Sequence, residues 1–179
     1  RFLQVLQGPR QVGKTTSIRQ VLSTLEFPWH YVTADTATLQ SPAWLEEQWS
    51  RARQLQTESG GPVVLAVDEI QKVSGWSSWA KRLWDEDSFF GRDVRVLLSG
   101  SSPLLMQQGL AESLAGRFET ITMTHWSWPE CRDAFGFDLD TFVYFGGYPG
   151  AAPLVHDAER WRAYLLDAVV ETTVSRDIL

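Results

Sequence analysis

Apolar positions along the chain fall into short blocks separated by stretches of helical spacing. Phe2-Leu3-Gln4-Val5-Leu6, Trp29-His30-Tyr31-Val32-Thr33, Val63-Val64-Leu65-Ala66-Val67, Val94-Arg95-Val96-Leu97-Leu98 and Phe118-Glu119-Thr120-Ile121-Thr122-Met123 read as strands. The third block is continuous instead of alternating, as in a strand buried on both faces at the centre of a parallel sheet. Between the blocks, Ile18, Val21, Leu22 and Leu25 recur at helical spacing. Ser41-Pro42 is a cap and first-turn pair for a helix carrying Trp44, Leu45, Gln48, Trp49, Ala52 and Leu55 on one face. Residues 74–84 place Trp76, Trp79, Ala80 and Leu83 on an apolar stripe, read as core in preference to a docking surface, and 103–114 is helical in pattern. Strands alternating with helices predict an α/β fold, a three-layer sandwich around a parallel sheet with five strands. The alternation stops after the fifth block. Short helices are expected from Trp128 through Phe135 and over 139–145, then a turn cluster Gly146-Gly147-Tyr148-Pro149-Gly150, then one long helix from Ala158 to Leu179.

The link between the first strand and the first helix carries chemistry. Gly8-Pro9-Arg10-Gln11-Val12-Gly13-Lys14-Thr15-Thr16 fits G-x-x-x-x-G-K-[ST], the phosphate-binding loop, in its required strand–loop–helix setting. The two glycines let the backbone turn tightly and approach a phosphate, and the loop N–H groups with the helix N-terminus point at the anion. Lys14, expected to stand exposed on the loop, supplies a point charge for the β- and γ-phosphates. The Thr15 hydroxyl is placed to ligate Mg²⁺. A nucleoside triphosphate is the expected ligand.

The central apolar run ends in Asp68-Glu69, the Walker B pattern of NTPases with an adjacent catalytic glutamate. Asp68 is expected to hold Mg²⁺ and Glu69 to polarise the attacking water. The fourth strand closes on Ser99-Gly100-Ser101-Ser102. Ser99 is a candidate polar sensor beside the γ-phosphate; the alternative is a plain turn rich in serine and glycine. The loop, Asp68-Glu69 and Ser99 all fall at carboxyl ends of strands, where α/β sheets bind nucleotides.

Composition narrows the partners. With 44% hydrophobic and 21% charged residues the chain is ordinary for a globular domain, and a net charge of −6 argues against a broad nucleic-acid surface. No apolar run approaches the roughly 20 residues that span a bilayer, and no secretory leader is seen. The single Cys131 excludes an internal disulfide framework, so a cytoplasmic location and no membrane partner are expected. His30, His125 and His156 have no cysteines at zinc spacing. The start at Arg1, directly on a strand, and the end at Leu179, inside a helical pattern, suggest a piece of a longer protein.

Gly8-Pro9-Arg10-Gln11-Val12-Gly13-Lys14-Thr15-Thr16, Val67-Asp68-Glu69-Ile70-Gln71-Lys72, Leu98-Ser99-Gly100-Ser101-Ser102, Leu114-Ala115-Gly116-Arg117-Phe118 and Gly146-Gly147-Tyr148-Pro149, in this order, resemble the prokaryotic AAA-superfamily P-loop ATPases. More narrowly, they resemble the group with an additional uncharacterised C-terminal domain. The resemblance implies the sheet order 5-1-4-3-2, an α/β core over residues 1–125, and a small helical lid over 126–179. It implies ATP and Mg²⁺ as ligand and cofactor, and ATP hydrolysis coupled to a partner. That partner is a second copy in a homo-oligomer, or a protein or DNA engaged through regions outside this sequence. Arg117 is then a candidate arginine finger toward a neighbouring subunit; the alternative is pairing with a nearby acid such as Glu119. Pro149 is a candidate contact to the base or ribose, against a plain helix connector.

Two function classes stay open. One is an ATPase; the other is a nucleotide-gated switch or scaffold with negligible turnover. A GTPase is excluded, because its guanine motif requires asparagine and the chain has none.

Overall fold

Alternating strands and helices produce a parallel sheet because each strand's continuation must cross over a face of the sheet before it can pair again. The computed structural model describes residues 2–36, 41–102, 106–107, 109–110 and 113–171. Its elements run β1 (Leu3–Gln7), α1 (Lys14–Ser23), β2 (Trp29–Thr33), α2 (Pro42–Ser59), β3 (Val63–Asp68), a 3₁₀ turn (Ile70–Lys72), α3 (Trp76–Phe89), β4 (Val94–Gly100) and β5 (Phe118–Thr122). Then follow α4 (Trp128–Phe135), α5 (Leu139–Phe145), a 3₁₀ segment (Pro149–Leu154), α6 (Ala158–Tyr164) and a π-helical stretch (Leu165–Glu171).

All strand pairs are parallel, in the order β2-β3-β4-β1-β5. This is the order expected from the resemblance, read from the other edge. β3 and β4 pair Val67 with Leu98, and β2 and β3 pair Thr33 with Asp68. The acid pair and Ser99 therefore emerge on adjacent strands at one edge. The chain forms two compact units, one of residues 1–7 and 15–122, the other of residues 8–14 and 123–179. No helix among the described residues is long and apolar enough to cross a membrane.

In the first unit, Ser41 caps α2 by accepting the Trp44 N–H at 3.3 Å, and α2 buries Leu45, Trp49 and Ala52. α3 buries Trp76, Ala80 and Leu83, so much of the tryptophan stripe is core; Trp79 is half-buried, with the Arg82 guanidinium 4.3 Å from its ring centre.

Where α2 meets α3, a buried polar group sits that periodicity does not reveal. Asp87, fully buried, accepts the Trp49 indole N–H at 2.6 Å and the Arg53 Nε–H at 2.7 Å, with Arg92 Nη1 at 3.3 Å. Hydrogen bonds to a charged group contribute about 1.5–3 kcal/mol. Asp87→Asn is expected to lower unfolding stability by about 2 kcal/mol in denaturant titrations, because an amide keeps the shape but not the charge. An unchanged midpoint would show that this acid is spectator to folding.

In the second unit, Cys131, Phe137 and Ala152 form a small core with Trp126, Phe142 and Val155 against it. α4 opens with a capping box, in which the Glu130 carboxylate accepts the Ser127 backbone N–H at 2.7 Å; hydrogen bonds from Ser127 hold that carboxyl below its ordinary range.

One expectation changes. The helix expected from Ala158 to Leu179 is α-helical only through Tyr164 and then widens to π winding, with the Leu165 N–H shared between Trp161 and Arg162 carbonyls. Apolar spacing over so few turns does not separate the two windings. Residues 172–179 of that helix, and part of the helix expected over 103–114, lie outside the described residues.

Candidate functional site

The glycine-bearing loop belongs to the second unit up to Lys14. Gly13 has φ +98°, a conformation that strongly favours glycine. Gly8 is required for a different reason from the one the motif suggests: a Cβ there would lie 2.1 Å from the Met123 carbonyl oxygen. Its missing side chain admits a neighbouring backbone. Gln11 holds φ +64°, unusual for a residue with a Cβ, and its side-chain oxygen accepts the Tyr164 hydroxyl at 3.1 Å. The buried Val12 carbonyl accepts the Trp126 indole N–H at 3.0 Å. The loop is thus fixed by backbone geometry and two aromatic donors, while Pro9 and Arg10 are half-exposed.

Lys14 departs from expectation. It is not exposed: only 6% of it is accessible, and its ammonium donates to the Gly8 and Pro9 carbonyls at 2.8 and 2.6 Å. A cation beside a tightly curled loop takes the nearest backbone oxygens, which gather its charge where an anion would be cradled.

Thr15 follows Lys14 in the first turn of α1 and belongs to the first unit, with Thr16 exposed behind it. Its hydroxyl donates to Asp68 Oδ2 at 2.6 Å. Asp68, at the end of β3, is 2% exposed and receives three further donors. Ser99 Oγ makes a short hydrogen bond to Oδ1, the Glu69 backbone N–H reaches Oδ1 at 3.1 Å, and the Tyr31 hydroxyl reaches Oδ2 at 3.1 Å. Burial, and then the Asp68 charge, push the Tyr31 hydroxyl's pKa up, which keeps it a donor. Ser99, fully buried at the tip of β4, thus lies against the acid of β3.

Glu69 adopts φ +55° and ψ +38°, left-handed for a residue with a side chain. Among the described residues only it and Gln11 have positive φ without being glycine, and each lies in one of the two sequence motifs. Such backbone costs about 1–3 kcal/mol and persists where neighbours enforce it. Here the neighbours are the Asp68 carboxylate on the Glu69 N–H, and Gln71 and Ser101 on the side chain, at 2.6 and 2.8 Å from Oε2.

Arg117 is placed by β5 and pairs with an acid that sequence distance hides. Its Nε and Nη2 donate to the two carboxylate oxygens of Asp85 on α3 at 2.8 and 3.3 Å, whereas Glu119 accepts from the Gln4 amide. Pro149 opens the 3₁₀ segment after Gly147, whose carbonyl accepts the Trp126 backbone N–H at 3.0 Å. Trp126 therefore contacts both this turn and Val12 of the loop. Tyr31, Gln71, Ser101 and Trp126 were not legible as site residues. Gln71 and Ser101 stand two positions beyond Glu69 and Ser99, inside the two motifs that carry the family resemblance, but nothing in those motifs gives either a role of its own.

Asp68 and Thr15 present hard oxygen donors, and no cluster of three or more His, Cys, Asp or Glu gathers among the described residues. That donor set fits Mg²⁺, which takes one or two protein oxygens and is completed by phosphates and water.

A family model described as an AAA domain matches residues 1–132. The chain matches none of the curated proteins. Among solved structures it resembles the RuvB Holliday junction branch migration motor of Thermotoga maritima, with TM-score 0.54 and 16% identity over 80% of this chain and 43% of that one. A point variant of the same RuvB gives TM-score 0.53 at 16% identity, with the same 80% and 43% coverage. The chain thus spans less than half the length of these structures.

Proposed function

The chain belongs to the AAA domain family, and from that premise we propose that it binds ATP with Mg²⁺ and hydrolyses the terminal phosphoanhydride. The observation that carries this reading is the 2.6 Å hydrogen bond from Thr15 Oγ1 to Asp68 Oδ2, which joins the hydroxyl of one motif to the carboxylate of the other across 53 residues. Thr15 and Asp68 would hold the cation, which supplies charge neutralisation on the phosphates. Lys14 exchanges loop carbonyls for phosphate oxygens. Ser99 fixes Asp68, and Glu69 takes the proton of the attacking water on its carboxylate. The likeness to RuvB is one of fold and brings no DNA substrate to this chain.

Phosphate release tests the reading: turnover should require Mg²⁺ and ATP. Asp68→Asn should weaken ATP binding by about 10-fold in the presence of Mg²⁺, from the loss of one charged ligand. In EDTA it should leave binding near that of the wild type. Tight MgATP binding without phosphate release would replace the hydrolytic reading with that of a nucleotide-gated switch.

We further propose that Arg117 acts as a finger toward a second copy. The Arg117 and Asp85 side chains are 32% and 40% accessible, and pairs of this kind contribute about 0–1 kcal/mol, so releasing the guanidinium costs little. A finger is worth roughly 10³–10⁵ in rate where best known. Arg117→Ala is expected to lower turnover without altering MgATP affinity, and wild-type turnover per molecule should rise with concentration. Mixing Arg117→Ala with Glu69→Gln protein should restore some activity. Full turnover by Arg117→Ala would remove it from the site.

A further inference from the structure

The Glu69 carboxylate is held unequally at its two oxygens. Oε2 accepts two donors, the Gln71 amide at 2.6 Å and the Ser101 hydroxyl at 2.8 Å, and these two side chains also meet at 3.4 Å. Both partners come from elements fixed by the sheet: Gln71 from the 3₁₀ turn after β3, Ser101 from the position just past β4. Ser101 is 3% exposed. The Gln71 carboxamide packs against Gly100, where a Cβ would stand 2.6 Å from its oxygen, so glycine at the end of β4 is what lets the amide reach Glu69. The amide orientation follows from chemistry, since a carboxylate only accepts and Nε2 must face it.

We propose that Gln71 and Ser101 are positioning residues that anchor Oε2 of Glu69 and thereby assign its other oxygen, Oε1, to accept the proton from the attacking water. This rests on the hydrolytic reading of Glu69. A carboxylate on a left-handed backbone could rotate about its last torsion, which is broad. Two donors on one oxygen remove that freedom and leave one lone-pair face for water. General bases act only at the correct distance and angle, and an ångström of misplacement costs about 10²-fold in rate. The donors also compensate the left-handed backbone, which explains how it persists beside the buried Asp68.

The test uses Gln71→Met and Ser101→Ala, which remove donors with little change of volume in the space beside Gly100. Each should lower kcat by about 10–100-fold while KM for ATP and directly measured MgATP affinity stay within about twofold. A merely structural role would instead lower the melting temperature and the affinity together. In a Glu69→Gln background the same changes should add less than about twofold, because residues acting through one group are non-additive. The readout independent of turnover is the Gln71 side-chain amide in nucleotide-free protein by ¹H–¹⁵N NMR. Its protons should be protected from exchange and should shift on Glu69→Ala. Wild-type kcat in both donor variants, or a Gln71 amide indifferent to Glu69→Ala, overturns the positioning role alone. Absence of phosphate release by wild-type protein that binds MgATP overturns the hydrolytic reading and this role with it.

Discussion

Lys14→Ala should lose ATP affinity by about 10²–10³-fold. A unit charge about 4 Å from a phosphate oxygen is worth about 4 kcal/mol at an effective dielectric near 20, and each 1.4 kcal/mol is tenfold. Part of that is offset, because the ammonium must first leave the Gly8 and Pro9 carbonyls it holds at 2.8 and 2.6 Å. The same contacts give the variant a second effect that an exposed lysine would not have. Removing a nearly buried donor deprives two loop carbonyls of it, a loss of about 1–3 kcal/mol in stability. Calorimetric ATP titration should be read beside thermal unfolding, so that lost binding is scored on folded protein. Folded Lys14→Ala with affinity within threefold of the wild type would refute the phosphate-loop assignment.

What could be read in the sequence follows from which forces are local. The run Val63–Val67 announced a buried strand because burial on both faces demands apolar side chains at every position. Ser41-Pro42 announced a helix start because capping is settled within one turn. The strand order was not in the periodicity at all; it came with the motif set, since alternation fixes parallel pairing but not which strands adjoin. Contacts between distant positions stayed hidden. Asp87 meets Trp49 across 38 residues, and Arg117 meets Asp85 across 32, with the nearer Glu119 passed over for geometry that only the sheet imposes. Lys14 looked exposed because motif letters do not say which carbonyls curl back toward the ammonium. The left-handed turns at Gln11 and Glu69 were equally invisible, since neither is glycine. Both lie in the motifs that sequence did identify, so local propensity was overridden where chemistry is proposed to occur.

Glu69→Gln should cut phosphate release by about 10²–10⁴-fold, the usual contribution of a positioned general base, while MgATP remains bound with near wild-type affinity. The prediction follows from the different surroundings of the two adjacent acids. Asp68 is 2% exposed and receives donors from Thr15, Tyr31, Ser99 and the Glu69 backbone, which fix the orientation of its carboxylate. Glu69 is less buried, and the two hydrogen bonds to its side chain both fall on Oε2. An amide at position 69 can still accept from Ser101 through its oxygen, so fold and ground-state binding should be preserved. It cannot take a proton from water at neutral pH. The loss should therefore appear in kcat and kcat/KM alike, the mark of an interaction made in the transition state. Asp68→Asn should show the opposite division, with its defect in Mg²⁺-dependent binding. Rapid-quench measurement after mixing Glu69→Gln with ATP should find uncleaved ATP retained on the protein. Equal single-turnover rates in wild type and Glu69→Gln would rule out Glu69 as the base and transfer the chemistry to another group.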